Sequence, residues 1–562
     1  GHRSEVGTDR RLAPRGAGDE LAGHRPKVRS ATARQVRILF GSIGWPSGVL
    51  ELASWLKHQQ LAEAVVFQLR PAADVDQRFV QKLIEFDPHV VGFRLESGQL
   101  QQIEKYIGTV RQFSQAEVVL GGPTATSHPR EVLEESGADY VFAGEAERSL
   151  SQFVRLAWQR NSKDHQPEIP GLAYRYGGRT YLNTLPADGY QRTVMDVDDL
   201  VCCNTLRCLR GRVRPVTEVE AIAGNRLDWS LLGNFSGRFE ALYFTGGRGC
   251  PGACTFCAKL HGNEVRNKSA RQLLEEIQAA DAKVAEGTIK LSRSHLFKHT
   301  DDADLREKQV AWAAICDEDF FRVHERAIEF FRLWAESPLR DRYRISLRTD
   351  PCSMLAEDGR VQPELLEAVE RLRPMVQLEA ESFHPELLVR WHKRHSLKQL
   401  ATVLDALDGT GQDYTVFQLL TDFDSTPEEL VETLRRLILR AFRHRRMRIA
   451  ARAFTIPAYD SDTRRLLEYG GRLGRGRVEH FTDYERPQPG WTDPLVAELA
   501  DAAHQQLQSA IHLEQRDGAL MQALQAVLQR IRRQRQTWRI RDLDDQAQRA
   551  MDQIREARFQ PA

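Results

Sequence analysis

Short apolar runs separated by amphipathic stretches recur between residues 35 and 160. Residues 36–40 read as a strand, 41–48 as a glycine-bearing loop, and the stretch from Val49 as a helix. Residues 64–69, 90–93, 117–120 and 140–143 read as four more strands, bounded by turn signals such as Asp87-Pro88, Gly121-Gly122-Pro123 and Gly144-Glu145. Continuous apolar runs between turns, with helical patterns separating them, predict a parallel, doubly wound α/β sheet. Right-handed crossovers place the strand-end loops on one edge, where ligands bind in such sheets.

The pattern weakens over 161–235, where Pro170, Gly177-Gly178 and Pro186 interrupt it, and this stretch reads as a linker with small strands. Alternation resumes over 236–459. There, residues 242–245, 310–315, 345–348, 376–378, 415–420 and 449–454 read as strands of a second α/β unit, expected to form a partial (β/α) barrel. The span between Cys257 and Asp317 exceeds one helix plus one strand, so 292–307 reads as an insertion. From 460 to 562 helical periods dominate, notably 494–514 and 518–533, and predict a mostly helical C-terminal domain. Residues 1–34 show no period and read as an unstructured tail.

Composition narrows the classes. The 562 residues are 41% hydrophobic and 28% charged, which suits several globular domains. A net charge of +1 exerts no pull toward nucleic acid or an anionic membrane. No apolar stretch approaches the ~18 residues that span a bilayer, and the first thirty residues lack the apolar core of a secretory signal. The expectation is a cytoplasmic protein with neither nucleic-acid nor membrane partner. The arginines at 443, 445, 446 and 448, and at 530, 532, 533 and 535, read as solvated helix faces. Eight cysteines are too few for a disulfide scaffold, yet three of them fall within eight residues. Cys202, Cys203 and Cys208 form a looser group that reads as ordinary thiols.

The dense group runs Cys250-Pro251-Gly252-Ala253-Cys254-Thr255-Phe256-Cys257, and Gly246-Gly247-Arg248-Gly249 leads into it from a strand. Soft, anionic thiolates suit iron–sulfur clusters. Three close cysteines can hold three irons of a [4Fe–4S] cube and leave the fourth open to another ligand. A structural zinc site wants four ligands; zinc or reduced structural thiols are the alternatives.

This loop, its place after the first strand of a barrel, and Phe256 before the last cysteine resemble the radical SAM superfamily. The resemblance implies that Cys250, Cys254 and Cys257 bind the cluster, that S-adenosylmethionine chelates the open iron, and that Phe256 lies near the adenine. The acidic stretch around Asp317 and Asp319 resembles the motif that meets the amino group of that cofactor, and Arg348 and Glu381 fall on segments resembling later barrel strands. Glu379-Ala380-Glu381-Ser382 departs from the family's usual Gly-Ile-Glu-Ser. The extra carboxylate at Glu379 is costly inside a barrel unless paired.

A five-stranded flavodoxin-like domain placed directly before such a barrel is similar to the cobalamin-binding class of that superfamily. The resemblance points to Gly41, Ser42, Gly44, Trp45, Pro46 and Gly48 of the first loop, to Gly121-Gly122-Pro123, and to Gly144-Glu145 as cobalamin contacts. The first loop has no histidine to ligate cobalt from below. In that class the loop Arg94-Leu95-Glu96-Ser97 lies under the corrin. A guanidinium has no lone pair for a metal, so Arg94 there would leave cobalt without a lower ligand and favour its electron-rich state. An ordinary salt bridge from Arg94 to Glu96 is the alternative.

The activity implied is methyl transfer from S-adenosylmethionine through cobalamin to an unactivated carbon, or to phosphorus, of a small-molecule substrate, with an external electron donor. Within the class, the insertion, Glu379 and Arg94 resemble the tryptophan C2-methyltransferases of thiopeptide biosynthesis. A cobalamin radical enzyme that cyclises or contracts a ring without methylating is the competing expectation.

Overall fold

The apolar runs of the first unit become β1 (Val36–Ser42), β2 (Ala62–Gln68), β3 (Val90–Arg94), β4 (Glu117–Gly121) and β5 (Tyr140–Phe142), all parallel and ordered 2-1-3-4-5. This is the flavodoxin-like order, whose reversal beside β1 opens a crevice at the strand ends. The structure, a computed structural model, describes residues 35–69, 74–96, 98–127, 129–159, 168–186, 191–194, 213–214, 225–234, 238–257, 261–291, 311–422, 424–452, 494–533 and 538–558. The expected tail at 1–34, Ser97, Cys202, Cys203, Cys208 and the expected insertion at 292–307 lie outside the described residues.

Helices α1 (Ser47–His58), α2 (Val75–Phe86), α3 (Leu100–Phe113), α4 (Pro123–Ser127), α5 (Pro129–Glu135) and α6 (Glu147–Gln159) cover the sheet. Side chains alternate across it. Ile38 and Phe40 share a core with Leu50 and Ala53 of α1 and Leu150 and Phe153 of α6, whereas Leu39, Val91 and Phe93 pack with Phe79 of α2 and Tyr106 of α3.

The stretch 161–235 does more than link. Within it β6 (Leu172–Tyr176), β7 (Arg179–Pro186) and β8 (Gln191–Val194) extend the sheet antiparallel from β5, and β9 (Val213–Arg214) pairs with β7. Then β10 (Leu232–Asn234) pairs with β2 at the opposite edge. Both edges of the five parallel strands are thereby paired, and the open edges pass to β10 and β8.

In the second unit the strands Ala241–Phe244, Ala311–Ile315, Tyr343–Thr349, Met375–Glu381, Tyr414–Leu419 and Met447–Arg452 lie side by side in chain order, all parallel. Their outward residues, among them Phe244, Ile315, Leu347, Leu378 and Val416, pack into a core continuous with the α1 side of the first sheet. Among the described residues the first and sixth strands do not pair, so the sheet is an open β/α layer. The helices Pro494–Leu507, Leu513–Arg533 and Trp538–Arg558 form a C-terminal group against the helix Pro427–Arg443. Buried Arg516 ties that group on, donating from Nη1 to the carbonyls of His444 at 2.9 Å and Met447 at 3.0 Å. The arginine run from 443 to 448 is not one solvated face. Arg443 pairs with Asp405, Arg445 with Asp517, and buried Arg448 lies 2.5 Å from Asp413. The run crosses from a helix end into a strand, so its members point to different acids. Among the described residues no helix is long and apolar enough to cross a membrane.

The two units meet through buried charge. Glu51 of α1, Glu147 of α6 and Glu145 just before it are buried, as are Arg248, Arg266 and Lys268 of the second unit. Arg248 Nη2 donates to Glu51 and Glu147, each at 2.7 Å, and its Nη1 lies 3.3 Å from Glu145. Arg266 forks onto both oxygens of Glu145 at 2.7 Å each, and Lys268 reaches Glu276 at 2.8 Å and Glu51 at 3.4 Å. Arg248 and Arg266 sit directly opposite each other on a short antiparallel pair, a like-charge register that is unfavourable alone; Glu145 bridges them. Burial pushes the Glu145 carboxyl up, but the hydrogen bonds from Arg266 and His261 and the charge of Arg248 outweigh it and hold the carboxyl well below its usual range.

Removing one partner of such a lattice strands the others in low dielectric, typically at about 3–5 kcal/mol. Arg248→Met is therefore expected to lower stability by about that amount, read as a fall in the denaturation midpoint; an unchanged midpoint would remove the lattice as a determinant of the fold. Because Glu145 is depressed in the folded chain, its contribution is complete above about pH 4.3, its unfolded value, and is lost as pH falls through the folded value. Glu145→Gln is expected to be less stable than the parent at neutral pH, with the gap closing in acid.

Candidate functional site

The first strand of the second sheet ends at Phe244, and Thr245 to Gly249 carries the chain into the cysteines. Asp317, after the second strand, organises this approach. Its Oδ1 accepts from the backbone N–H groups of Gly246 and Gly247 at 2.7 Å each, and its Oδ2 from Arg326 Nη1 at 3.0 Å. Asp317 thus supports the loop, with both oxygens turned to protein donors, where the sequence suggested a cofactor contact. Gly249 has φ +88°, and a Cβ there would lie 2.0 Å from the Glu264 carbonyl oxygen, so only glycine fits. Cys250 N–H donates to the Gly262 carbonyl and Cys257 N–H to that of Cys254, each at 3.2 Å.

All three thiols are partly buried. A Cβ on Gly252 would lie 3.3 Å from Cys250 Sγ, 3.7 Å from Cys254 Sγ and 3.8 Å from Arg394 Nε. The missing side chain leaves a cradle bounded by two sulfurs and a guanidinium, and Gly252 N–H donates to Cys250 Sγ at 3.4 Å. Burial pushes the Cys254 thiol up to about 11 and the Cys250 thiol up as well, so ligation is what would hold these sulfurs as thiolates. Among the described residues no three His, Cys, Asp or Glu side chains are grouped as for a single ion. The fit to an iron–sulfur cluster rests on the donor set, the N–H donor and the cradle.

A segment that sequence reasoning passed over lies against this loop. Trp391 is buried; its carbonyl accepts from Thr255 N–H at 3.1 Å, and its ring meets Phe256 edge-on at 5.9 Å. Asp422, after the fifth strand, fixes Trp391 Nε1 at 2.8 Å. Lys393, 2% exposed, lies 3.0 Å from Asp350 and 3.9 Å from Glu381. Arg394 donates to Asp319 at 2.6 Å, and Asp319 also accepts from Thr349 and Ser353. His395 places its ring nitrogens 3.2 Å from Asp350 and 3.1 Å from the Ala380 carbonyl.

Glu379, Glu381 and Arg348 gather at the same edge. Arg348 lies 3.6 Å from Glu379 and over the Phe417 ring, which supplies the partner that a carboxylate at 379 requires. The pairing register shifts between Leu378 and Glu381, and Glu381 takes φ +60°; an irregularity of this kind re-aims a side chain, here toward Lys393. Burial pushes both carboxyls up, Glu381 to about 7.

The second feature is a partly open cavity between the strand ends of the first sheet, α1, α6 and the second unit. Gly48, Arg94, Gly121, Gly122, Pro123, Gly144 and Glu145 line it, together with Thr245, Arg248 and His261 from the approach to and exit from the cysteines. The apolar floor of Phe40, Val119, Phe142 and Leu150 beneath strand-end glycines suits a large, partly aromatic ligand. Gly122, at φ +104°, would put a Cβ 2.9 Å from the Leu95 carbonyl oxygen.

Gly41, Ser42, Gly44, Trp45, Pro46, Leu95 and Glu96 are not among the lining residues. A Cβ on Gly41 would strike the Phe93 ring at 2.6 Å, so that glycine answers to packing. Trp45 joins an aromatic group with Trp229, Phe239 and Tyr243 across the two units. Leu95 is buried. Arg94 lines the cavity and also pairs with Glu96 at 2.7 Å. Glu145, expected as a cobalamin contact, has both oxygens in the buried lattice.

Residues 35–154 match the family model described as B12 binding domain, and residues 244–437 match that of the Radical SAM superfamily. The chain therefore carries a B12-binding domain followed by a radical SAM domain. No curated protein matches the sequence. Among solved structures, the radical S-adenosylmethionine methyltransferase TsrM from Kitasatospora setae, with cobalamin and a [4Fe–4S] cluster bound, is 14% identical, with 94% of this chain and 100% of that one covered and a TM-score of 0.58. The same enzyme with tryptophan substrate and the SAM analogue aza-SAM is 14% identical over 80% and 82% of the two chains, with a TM-score of 0.56. The cobalamin-dependent S-adenosylmethionine radical enzyme OxsB, with aqua-cobalamin and S-adenosylmethionine bound, is 13% identical over 93% and 72%, with a TM-score of 0.59. At these identities the likeness is one of fold.

Asp317 provides a direct check on the loop. An amide at that position keeps one acceptor oxygen and loses the charge that Arg326 pairs with, at about 1–3 kcal/mol. Asp317→Asn is expected to speed hydrogen exchange at the Gly246 and Gly247 amides; exchange as slow as in the parent would show that the carboxylate does not hold the loop.

Proposed function

We propose that this chain is a cobalamin- and [4Fe–4S]-dependent methyltransferase that draws its methyl group from S-adenosylmethionine and acts on an unactivated carbon of a small molecule. The observation that carries the reading is one of adjacency. Thr245 and Arg248, which lead into Cys250, and His261, which follows Cys257, form a wall of the cavity whose other side is built from the strand ends of the B12-binding domain.

When bound, cobalamin would carry the methyl group between donor and substrate, and the cluster would supply the electron chemistry. Cys250, Cys254 and Cys257 would hold the cluster, with electrons from an external donor. Phe256, Asp319, Arg348 and Glu381 are the candidates to hold S-adenosylmethionine, and Glu379 stands with Arg348 where a substrate proton could be received. The half-buried Arg94 brings a permanent cation to the cobalamin cavity. A fixed positive charge favours an electron-rich metal without ligating it.

Tryptophan C2 is the substrate atom favoured here. It is supported by the likeness in fold to TsrM across that enzyme's whole length, and by the expectations drawn from Arg94 and Glu379. The second reading is a cobalamin radical enzyme that does not methylate, and the fold is also like that of OxsB, a cobalamin-dependent S-adenosylmethionine radical enzyme. Anaerobic loading with iron, sulfide and cobalamin, then incubation with isotopically labelled S-adenosylmethionine and tryptophan, separates the two. The proposal expects a product heavier by one labelled methylene; a product of unchanged carbon count decides for the second reading.

Replacing Cys250, Cys254 and Cys257 together by Ala is expected to abolish iron binding and turnover. Retention of the full iron content would end the cluster assignment. Arg94→Leu is expected to lower the reduction potential of bound cobalamin and the turnover number together, with Arg94→Lys milder. Parent values for both quantities in Arg94→Leu would reduce Arg94 to the ordinary partner of Glu96.

A further inference from the structure

The segment after the helix Pro385–Arg390 sets two cations beside the cysteines. Lys393 is almost wholly buried, with Asp350 and Glu381 at 3.0 and 3.9 Å, and it stands in the chain between Arg394 and Trp391, whose carbonyl accepts from Thr255 N–H of the cysteine loop at 3.1 Å. Arg394 borders the Gly252 cradle, its Nε 3.8 Å from the Cβ position that Cys250 Sγ and Cys254 Sγ approach at 3.3 and 3.7 Å. Its Nη2 is anchored on Asp319 at 2.6 Å. Its Nη1 is buried and has no hydrogen-bond partner among the described residues. An orphaned N–H of a buried cation is costly, and this one belongs to the guanidinium whose Nε borders the thiol cradle.

We propose that Lys393 and Arg394 act as positioning residues that raise the reduction potential of a cluster held by Cys250, Cys254 and Cys257, with the unpartnered Arg394 N–H available to a sulfur of that group. The inference rests on the cluster assignment above. Reduction adds one electron, taken from a low-potential one-electron reductant, to a group that already carries three thiolates. Fixed cations and hydrogen bonds to sulfur stabilise the more negative state. Trp391, held by Asp422 and by Thr255 N–H, fixes where the two cations stand. Asp319 and Asp350 act in the opposite sense and anchor the cations. A purely structural role, neutralising those two aspartates, would leave the potential unmoved.

The test is an EPR-monitored redox titration of the full chain after anaerobic loading with iron and sulfide. Arg394→Gln keeps a donor for Asp319 but removes the charge. At a fixed ambient potential its ratio of reduced to oxidised cluster is expected to fall about tenfold, equivalent to about 59 mV for a one-electron couple. Arg394→Lys restores the charge and is expected to stay near the parent. Asp319→Asn removes an opposing charge and is expected to shift the ratio the other way. If Arg394→Gln loads fully and titrates with the parent, the inference falls and the cluster assignment stands. If Arg394→Gln does not load, Asp319→Asn decides, and parent behaviour there overturns the inference. A parent chain that takes up no cluster overturns the cluster assignment and this inference with it.

Discussion

Three carboxylates buried on one unit and three cations buried on the other can leave water only together. Glu51, Glu145 and Glu147 come from α1 and the start of α6; Arg248, Arg266 and Lys268 come from the strands flanking the cysteine loop. Lys268 also has Glu276 of its own unit, but Arg248 and Arg266 take their carboxylates from the other unit and are costly to bury without them. The lattice therefore dictates how the first sheet's strand ends face the second unit, and the cavity lies where they meet. Arg248 stands two residues before Cys250 and lines that cavity, so one side chain belongs to the interface, the cavity wall and the approach to the thiols. The hydrophobic core follows the same arrangement, since the α1 side of the first sheet and the outer face of the second form one continuous cluster.

The carboxyl ends of the second sheet collect acids in sequence: Asp317 and Asp319 after the second strand, Asp350 after the third, Glu379 and Glu381 on the fourth, Asp422 after the fifth. They divide into different tasks. Asp317 holds loop backbone, Asp422 fixes Trp391, and Asp319 and Asp350 anchor Arg394 and Lys393. Burial pushes Glu379 and Glu381 up, and Glu318 beside Asp317 as well, whereas burial at Asp350 is outweighed by His395 and Lys393, which hold it well below its usual range. Carboxylates with opposite shifts at one sheet edge are a physical basis for separating structural acids from reactive ones.

The elements that sequence pattern resolves are those whose cause is local. The five parallel strands of the first unit, the six of the second and the cysteine loop all rest on apolar runs, turn residues or ligand spacing contained within a dozen residues. Glu145 shows where locality fails. Gly144-Glu145 after a strand looks like a cofactor loop, yet Glu145 is bound by Arg266, 121 residues away. Gly41 misleads in the same way, because the Phe93 ring that demands it belongs to another strand. The segment 161–235 reads as a linker because prolines and glycines interrupt it, and its strands pair antiparallel beyond β5 or, for β10, with β2, partners no period reveals. Trp391 to His395 is a basic run at a helix end, and its meaning comes from Asp319, Asp350, Glu381 and Asp422 at four other strand ends.

The clamp between the units also bears on how such proteins can be rearranged over evolution or by hand. A first unit borrowed from another protein would need acidic side chains at the positions of Glu51, Glu145 and Glu147, or it would leave Arg248 and Arg266 buried without those counter-charges and Lys268 with Glu276 alone. Each stranded cation carries a desolvation cost of several kcal/mol, against a total stability of about 5–15 kcal/mol for an ordinary domain. The two units are thus separable by family yet not interchangeable part by part. Recombination that respects the sheets and ignores the lattice yields a chain that cannot close.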